Sequence, residues 1–372
     1  MPNTGAVPMD SEQNSLYTLW LALSDSLTWQ ARQRLLEEPG AAQVFACDDL
    51  SAFISDKAAR ELHSLRSIGL DKAVLRLEQL GISWALQGES CYPQKLLHII
   101  DPPHVIFYQG VLHNMPELAV AIVGSRRETR YGREQAHRIA RELAQQGVTV
   151  VSGLARGIDT AAHRGALEGG GRTIAVLGSG LANLYPPENK DLAQEIIQAG
   201  GAVISELPPA SEPLAFHFPV RNRIISGLSD AVLLVEAREK SGTWITVGHA
   251  LAQGREVFAL PGPVDAPGSA LPHKLIREGA RLCTCAQELM EDMGWMMEQQ
   301  APEQLSFDVT SLTSVQRSIY DALCAESHSF DELLALTALP VSDLNTQLTL
   351  MELDGLVETL PGRLFRLART HA

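Results

Sequence analysis

Ala119-Val120-Ala121-Ile122-Val123-Gly124-Ser125-Arg126-Arg127 decides the fold of this chain. Its unbroken apolar run suits a strand covered on both faces. The run stops at a glycine, a hydroxyl and two guanidinium groups. The same grammar returns twice downstream. Residues 148–151 run into Ser152-Gly153-Leu154-Ala155-Arg156-Gly157-Ile158-Asp159, and residues 173–177 run into Gly178-Ser179-Gly180. After each stop a helical pattern begins. A parallel α/β sheet builds an anion site in this way, from backbone N–H groups at helix N-termini. Arginines beside the glycines point to a ligand with several phosphates.

Working outward, strands are expected near 119–123, 148–151, 173–177, 202–205, 231–235 and 256–260. Helices are expected near 131–146, 159–168, 189–199, 220–228, 243–253 and 272–278. This alternation predicts an α/β domain over residues 118–290, a Rossmann-like, doubly wound, mostly parallel sheet. Residues 1–14 read as a disordered tail. Residues 15–88 carry apolar side chains at helical spacing, among them Leu62, Leu65, Leu70 and Val74, and read as a small helical domain. Gly69 marks a packing turn there, because few cations flank it. Residues 89–117, with Pro102-Pro103, read as an extended connector. Residues 291–311 read as an acidic linker. Residues 312–372 give three helical patterns and a hairpin around Pro361-Gly362, the pattern of a winged helix.

The chain has 372 residues, 45% of them hydrophobic, and a net charge of −14. No apolar run approaches the roughly 20 residues that span a bilayer, and the first residues lack a secretory pattern. With five cysteines the expectation is a cytoplasmic protein with reduced thiols. Cys283-Thr284-Cys285 has no second Cys/His pair nearby, so no metal is expected. The whole-chain charge opposes nucleic acid, but its distribution does not. Residues 116–290 hold 18 Lys/Arg and 18 Asp/Glu, and arginines crowd residues 126–141. Phosphate affinity follows local potential rather than net charge.

Four blocks supply candidate binding residues. Gly124, Ser125 and Arg126 offer close backbone approach, a hydroxyl and a bidentate fork. Ser152, Gly153, Arg156 and Gly157 end the next strand, with Asp159 read as the cap of the following helix. Phe216, Phe218, Arg221, Asn222 and Arg223 combine stacking rings with a cationic track, the means of holding a single strand without reading its sequence. Ser241, Gly242, Thr243 and Thr246 open another helix at a strand end. Gly178-Ser179-Gly180-Leu181-Ala182-Asn183 matches a dinucleotide fingerprint only in part, with Asn183 in place of the third glycine, so no cofactor is expected. No nucleophile elbow, HExxH, P-loop lysine or tasked carboxylate pair is present, and no catalytic residue is assigned.

Together these blocks resemble the DprA/Smf family of DNA-processing proteins. The resemblance rests on Tyr92-Pro93, Asp101-Pro102-Pro103, Gly124-Ser125-Arg126 with Tyr131-Gly132, residues 152–159 and 171–178, Tyr185-Pro186, Ser205-Glu206, residues 218–229, Val235-Glu236-Ala237, residues 241–246 and residues 254–262. It implies a SAM-like helical domain, a Rossmann-like core and a winged helix in that order. It implies a non-enzymatic, cytoplasmic protein that binds incoming single-stranded DNA in natural transformation, protects it and loads the RecA recombinase. It also implies a homodimer formed through the Rossmann-like domain. The family's DNA pocket carries over onto Arg126, Arg221, Asn222 and Arg223, with Phe218 or Phe216 as the stacking ring. Ala182, Thr243-Trp244 and Leu271-Pro272-His273 depart from the usual pattern in loop detail.

Two other readings stand beside it. A Rossmann-like nucleotide phosphoribohydrolase would need a Pro-Gly-Gly-x-Gly-Thr-x-x-Glu block, which residues 241–246 do not supply. A winged-helix regulator of duplex DNA would need a basic third helix. Here that region carries Asp343, Glu352 and Asp354 and no Lys or Arg, so protein contacts are expected of it instead.

Overall fold

The computed structural model describes residues 11–112, 118–295, 312–324, 327–353, 356–360 and 364–367. The chain divides into two compact units, residues 1–293 and 294–372.

The first unit opens with helices α1 (Ser11–Ala22), α2 (Trp29–Glu37), α3 (Ala41–Ala46), α4 (Asp56–Ile68) and α5 (Leu70–Gln79). Thr28 and Ser55 cap α2 and α4 by accepting the amides of Ala31 and Ala58. Trp20, Leu21, Leu35, Val44, Leu50 and Leu62 form their common core. Gly69 joins α4 to α5 at φ +94°, in a backbone region that L side chains rarely adopt. Helix α1 begins at Ser11, so the expected 1–14 tail is corrected at residues 11–14. Residues 1–10 lie outside the described ones.

Then follow β1 (Ser83–Leu86), β2 (Val105–Gly110), β3 (Ala119–Val123), α6 (Arg130–Gln145), β4 (Thr149–Ser152), α7 (Ile158–Glu168), β5 (Thr173–Val176), α8 (Lys190–Gln198) and β6 (Ala202–Ser205). The unit closes with α9 (His217–Gly227), β7 (Ala231–Leu234), α10 (Thr243–Ala252), β8 (Glu256–Ala259), α11 (Ala270–Arg277), β9 (Arg281–Leu282) and α12 (Ala286–Asp292). The nine strands make one sheet in the order β1-β2-β6-β5-β4-β3-β7-β8-β9. From β6 to β9 every pairing is parallel. The chain winds from β3 outward through β4, β5 and β6, then returns to β7 on the other side of β3. The switch point between β3 and β7 is where open α/β sheets leave a crevice at their strand ends.

Residues 89–117 are not a connector, as the sequence reading had them. They hold a short 3-10 turn and β2, which pairs antiparallel with β6, Phe107 opposite Ser205. Strand β1, expected within the helical domain, pairs with β2 and extends the same sheet. Phe107 and Val105 are buried with Leu19, Leu77 and Ile82, so helices and sheet share a core. At the other end α12 runs to Asp292, into the expected linker, whose residues 296–311 lie outside the described ones.

The second unit contains α13 (Ser314–Leu323), β10 (His328–Ser329), α14 (Phe330–Thr337), α15 (Val341–Leu353), β11 (Val357–Leu360) and β12 (Leu364–Leu367). Its sheet runs β10-β12-β11, all antiparallel, with Thr359 opposite Phe365. Capping boxes at Thr313/Gln316 and Ser329/Glu332 start α13 and α14. Ile319, Leu323, Leu333, Leu344, Leu348 and Met351 fill the core between helices and wing.

Candidate nucleic-acid interface

A cleft of about 500 Å³ opens at the β3/β7 switch point. Gly124, Ser125, Arg126 and Arg127, at the end of β3, form one wall. Ala237, Arg238, Lys240, Ser241, Gly242 and Thr243, which follow β7, form the opposite wall. Phe218, Pro219, Arg221 and Asn222 of α9, with Ala155 and Asp159, line the rest. Arg126, Arg127, Arg238 and Lys240 are exposed at the rim, and none of them has an ion-pair partner among the described residues. Unpaired cations keep their full field for a ligand, whereas paired ones do not.

The cleft wall carries a ladder of rings and guanidinium groups. The Arg126 guanidinium carbon lies 5.0 Å from the centroid of the Phe218 ring. Tyr185 meets Phe218 edge-on at 5.8 Å, and Arg156 lies 5.5 Å from the Tyr185 ring. Phe218 lies against Gly178, where an added Cβ would come within 2.8 Å of the ring. The glycine that follows β5 therefore makes room for a ring. Arg156 borders the cleft beside Gly153 and Phe218, but Glu188 and the Tyr185 hydroxyl hold its guanidinium.

Beneath the ladder sit two buried charges, Arg221 and Asp159. Arg221 is 4% exposed, and its Nη1 donates to the carbonyls of Gly153, at 2.9 Å, and Val176. Burial pushes the Arg221 guanidinium down to about 10, against the pull of Asp159. Asp159 does not cap α7, as the sequence reading had it, because Gly157 holds the N-cap position. Its Oδ2 instead accepts the amides of Gly153 and Ala155, at 3.1 and 3.4 Å, and ties the preceding loop. Burial raises its carboxyl to about 6, opposed by the Arg221 charge. A Cβ at Gly153 would lie 2.6 Å from Arg221 Nη2 and 2.7 Å from Asp159 Oδ2, so only glycine admits both. Arg221 thus sets the charge of the cleft floor while its hydrogen bonds stay within the protein.

Other expected residues divide. Ser241, Gly242, Thr243 and Thr246 line the cleft, and Ser241 Oγ accepts the Thr243 amide at 3.1 Å. Gly157 lets the 125–128 loop cross the start of α7: a Cβ there would lie 2.2 Å from the Ser125 carbonyl oxygen. Ser152 is buried and donates to the Ile122 carbonyl at 2.6 Å, which makes it a β3–β4 tie. Phe216 is 64% exposed and stacks edge-on with His217, outside the lining. Arg223 is corrected most clearly. Its guanidinium points away from the cleft to Glu206, at 2.7 and 2.6 Å, and to the Asp101 carbonyl at 3.0 Å.

Sequence reasoning placed Arg127 in the arginine-rich stretch without naming it as a binding residue, and missed Arg238 and Lys240. The cations at 238 and 240 stand immediately before the Ser241 block, which was the available signal. It also missed the brace at Glu236, a buried carboxylate that accepts the amide of Thr129 at 2.9 Å and its hydroxyl. That bond ties the 124–129 loop to the end of β7 and so spans the switch point.

The chain matches the family model described as DNA recombination-mediator protein A over residues 83–294, and a DprA winged helix domain model over residues 300–363. It is 43% identical over 320 residues to Protein Smf of Escherichia coli (strain K12), covering 84% of this chain and 85% of that protein. It is 45% identical over 204 residues to the DNA processing protein DprA of Streptococcus pneumoniae, covering 55% of this chain and 72% of that one. The X-ray structure of DprA from Streptococcus pneumoniae superposes with a TM-score of 0.62 at 36% identity, over 74% of this chain and 97% of that one. A DprA structure from Helicobacter pylori, whose report concerns its single-stranded DNA binding mode, gives a TM-score of 0.50 at 29% identity, over 57% and 95%.

Proposed function

This chain belongs to the DNA recombination-mediator protein A family, the DprA and Smf proteins, and on that premise we propose that it binds single-stranded DNA in the β3/β7 cleft, protects it and loads the RecA recombinase onto it. The observation that carries the reading is Arg126 over Phe218 at the mouth of a cleft with a buried Arg221 beneath it. A ring and a guanidinium plane accept a base by stacking, which tolerates any sequence. Arg127, Arg238 and Lys240 follow the backbone phosphates by charge. A duplex keeps its bases stacked inside and offers the ring nothing, so preference for single strands follows from the same geometry.

The reading carries four further parts: natural transformation as the setting, RecA as the partner, a homodimer through the Rossmann-like domain, and the cytoplasm as the compartment. Family membership supports all four. No helix among the described residues is long and apolar enough to cross a membrane. The reading is of a protein that acts by binding, in line with its DNA-processing relatives.

The test is fluorescence anisotropy with labelled single- and double-stranded oligonucleotides over a salt series. Wild type should bind the single strand, with affinity falling as salt rises. Arg126→Ala/Lys240→Ala should abolish that preference without loss of fold, since both side chains are exposed. Equal binding of duplex and single strand, or no effect of the double substitution, would overturn the proposal. RecA filament assembly on the bound strand, timed with and without the protein, tests the loading step.

A further inference from the structure

A second cavity, about 470 Å³, lies behind the same loop that walls the cleft. It runs along the seam between α6 and α7 and is lined by Glu128, Arg133, Glu134, His137, Thr160 and Arg164. The seam is unusually close. A Cβ at Gly165 would stand 2.1 Å from the His137 carbonyl oxygen, so α7 lies directly on α6 there. That approach sets Arg133, one turn before His137, beside Arg164, the neighbour of Gly165.

The lining carries two carboxylates, Glu128 and Glu134, and two guanidinium groups, Arg133 and Arg164, and the carboxylates do not pair with those guanidinium groups. Glu134 is held by Arg130 at 2.6 Å, and His137 pairs with Glu168 at 3.0 Å. Glu128 faces the start of α7, its Oε2 2.8 Å from where a Cβ of Gly157 would stand. Arg133 and Arg164 are exposed and have no hydrogen-bond or ion-pair partner among the described residues. Two unpaired guanidinium groups on closely packed helices can each take a phosphate oxygen pair.

The two cavities meet at one loop. The Ser125 carbonyl accepts the Ile158 amide at 3.2 Å, which lays residues 125–128 across the start of α7. Arg126 and Arg127 face the cleft, Glu128 faces the seam, and Gly157 lines the seam cavity. The cleft and the seam therefore lie on either side of one loop, residues 125–128.

We propose that the Arg133/Arg164 seam is a second backbone-phosphate subsite, which holds the stretch of single-stranded DNA that leaves the cleft. The inference rests on the proposed single-strand binding and adds to it a direction for the strand. No Phe, Tyr or Trp lines the seam, and its one imidazole, His137, is paired with Glu168, so the seam grips phosphates rather than bases.

The test compares an oligonucleotide of about six nucleotides, near the lower end of single-strand footprints, with one of about 30. Proteins are wild type, Arg133→Ala/Arg164→Ala and Arg133→Lys/Arg164→Lys, each over a salt series. The expected result is that the alanine pair binds the short strand as wild type does and the long strand about tenfold more weakly. Its salt slope on the long strand should be lower by about 1.4, two phosphates at roughly 0.7 each, and the lysine pair should recover most of the loss. Unchanged long-strand binding by the alanine pair would overturn the subsite and leave the cleft reading standing, as would equal loss on both lengths. Failure of wild type to bind either strand would overturn both.

Discussion

The guanidinium of Arg126 lies over the ring of Phe218, 5.0 Å from its centroid, with Gly178 behind the ring. A flat cation and a flat ring so placed make a platform for a nucleobase. Phe218 backs the guanidinium plane on which a base would stack, so Phe218→Ala should cost about 1–3 kcal/mol of single-strand affinity, the scale of one stacked base. Phe216→Ala, with its ring outside the cleft, should leave affinity nearly unchanged. Anisotropy titration of both variants checks this, and a larger loss from Phe216 would reverse the assignment.

Arg223 belongs to a different class from Arg126. Its side chain is 7% exposed and its partner Glu206 is 14% exposed. Removing one member of such a pair leaves an uncompensated buried charge, at a cost of about 3–5 kcal/mol. Arg223→Ala should lower the unfolding midpoint in urea sharply, while Arg126→Ala should hardly move it. Equal midpoints for the two variants would contradict the buried pair.

Acid should destabilise the first unit. Burial, aided by Arg221, lowers His163 to about 3, and burial, aided by Arg32 and Arg223, lowers His104 to about 4, both from 6.5. For each histidine the folded value lies below the unfolded one. Its contribution is complete above pH 6.5 and is lost as pH falls, because the unfolded chain takes up the proton first. Asp159 runs the other way. Its folded value, about 6 against 3.8, makes its contribution fade as pH rises through that window. Two histidines outweigh one carboxyl between pH 4 and 6, so these three groups together lower the thermal midpoint on acidification. His104→Asn should flatten that fall by about one proton's worth of slope; a fall as steep as wild type's would refute the role of His104.

The winged helix should not grip duplex DNA. Helix α15, in the groove-reading position of such folds, carries Asp343 and Glu352 and no Lys or Arg, and exposes Val341 and Leu350. A gel shift with residues 294–372, which form a compact unit with a core of their own, should show no duplex binding below about micromolar at moderate salt. Sub-micromolar binding would refute the expectation that this unit makes protein contacts.

The strand-ending glycines and the apolar runs before them were enough to read the parallel sheet, because both signals are local. A strand buried on two faces must be continuously apolar, and a loop that crosses a helix start or lies against a ring must lack a Cβ. The candidate cleft was legible for the same reason at Gly124, Ser125, Arg126, Phe218, Arg221 and the Ser241 block. Strand β2 was not. Its partner β6 lies about a hundred residues away in sequence, and no local pattern records an antiparallel pairing with so distant a neighbour.

The arginines of α9 show most sharply what sequence left open. Arg221 and Arg223 are equally basic and two residues apart, and as letters they belong to one cationic track. Once α9 begins at His217 they stand about 200° apart around a helix, so they cannot face one crevice. Composition fixed that this segment carries cations and rings beside glycine-rich strand ends. Only the packed structure decided that Arg221 lies under the cleft against the carbonyls of Gly153 and Val176 while Arg223 is neutralised by Glu206, because that depends on which helix face meets the sheet.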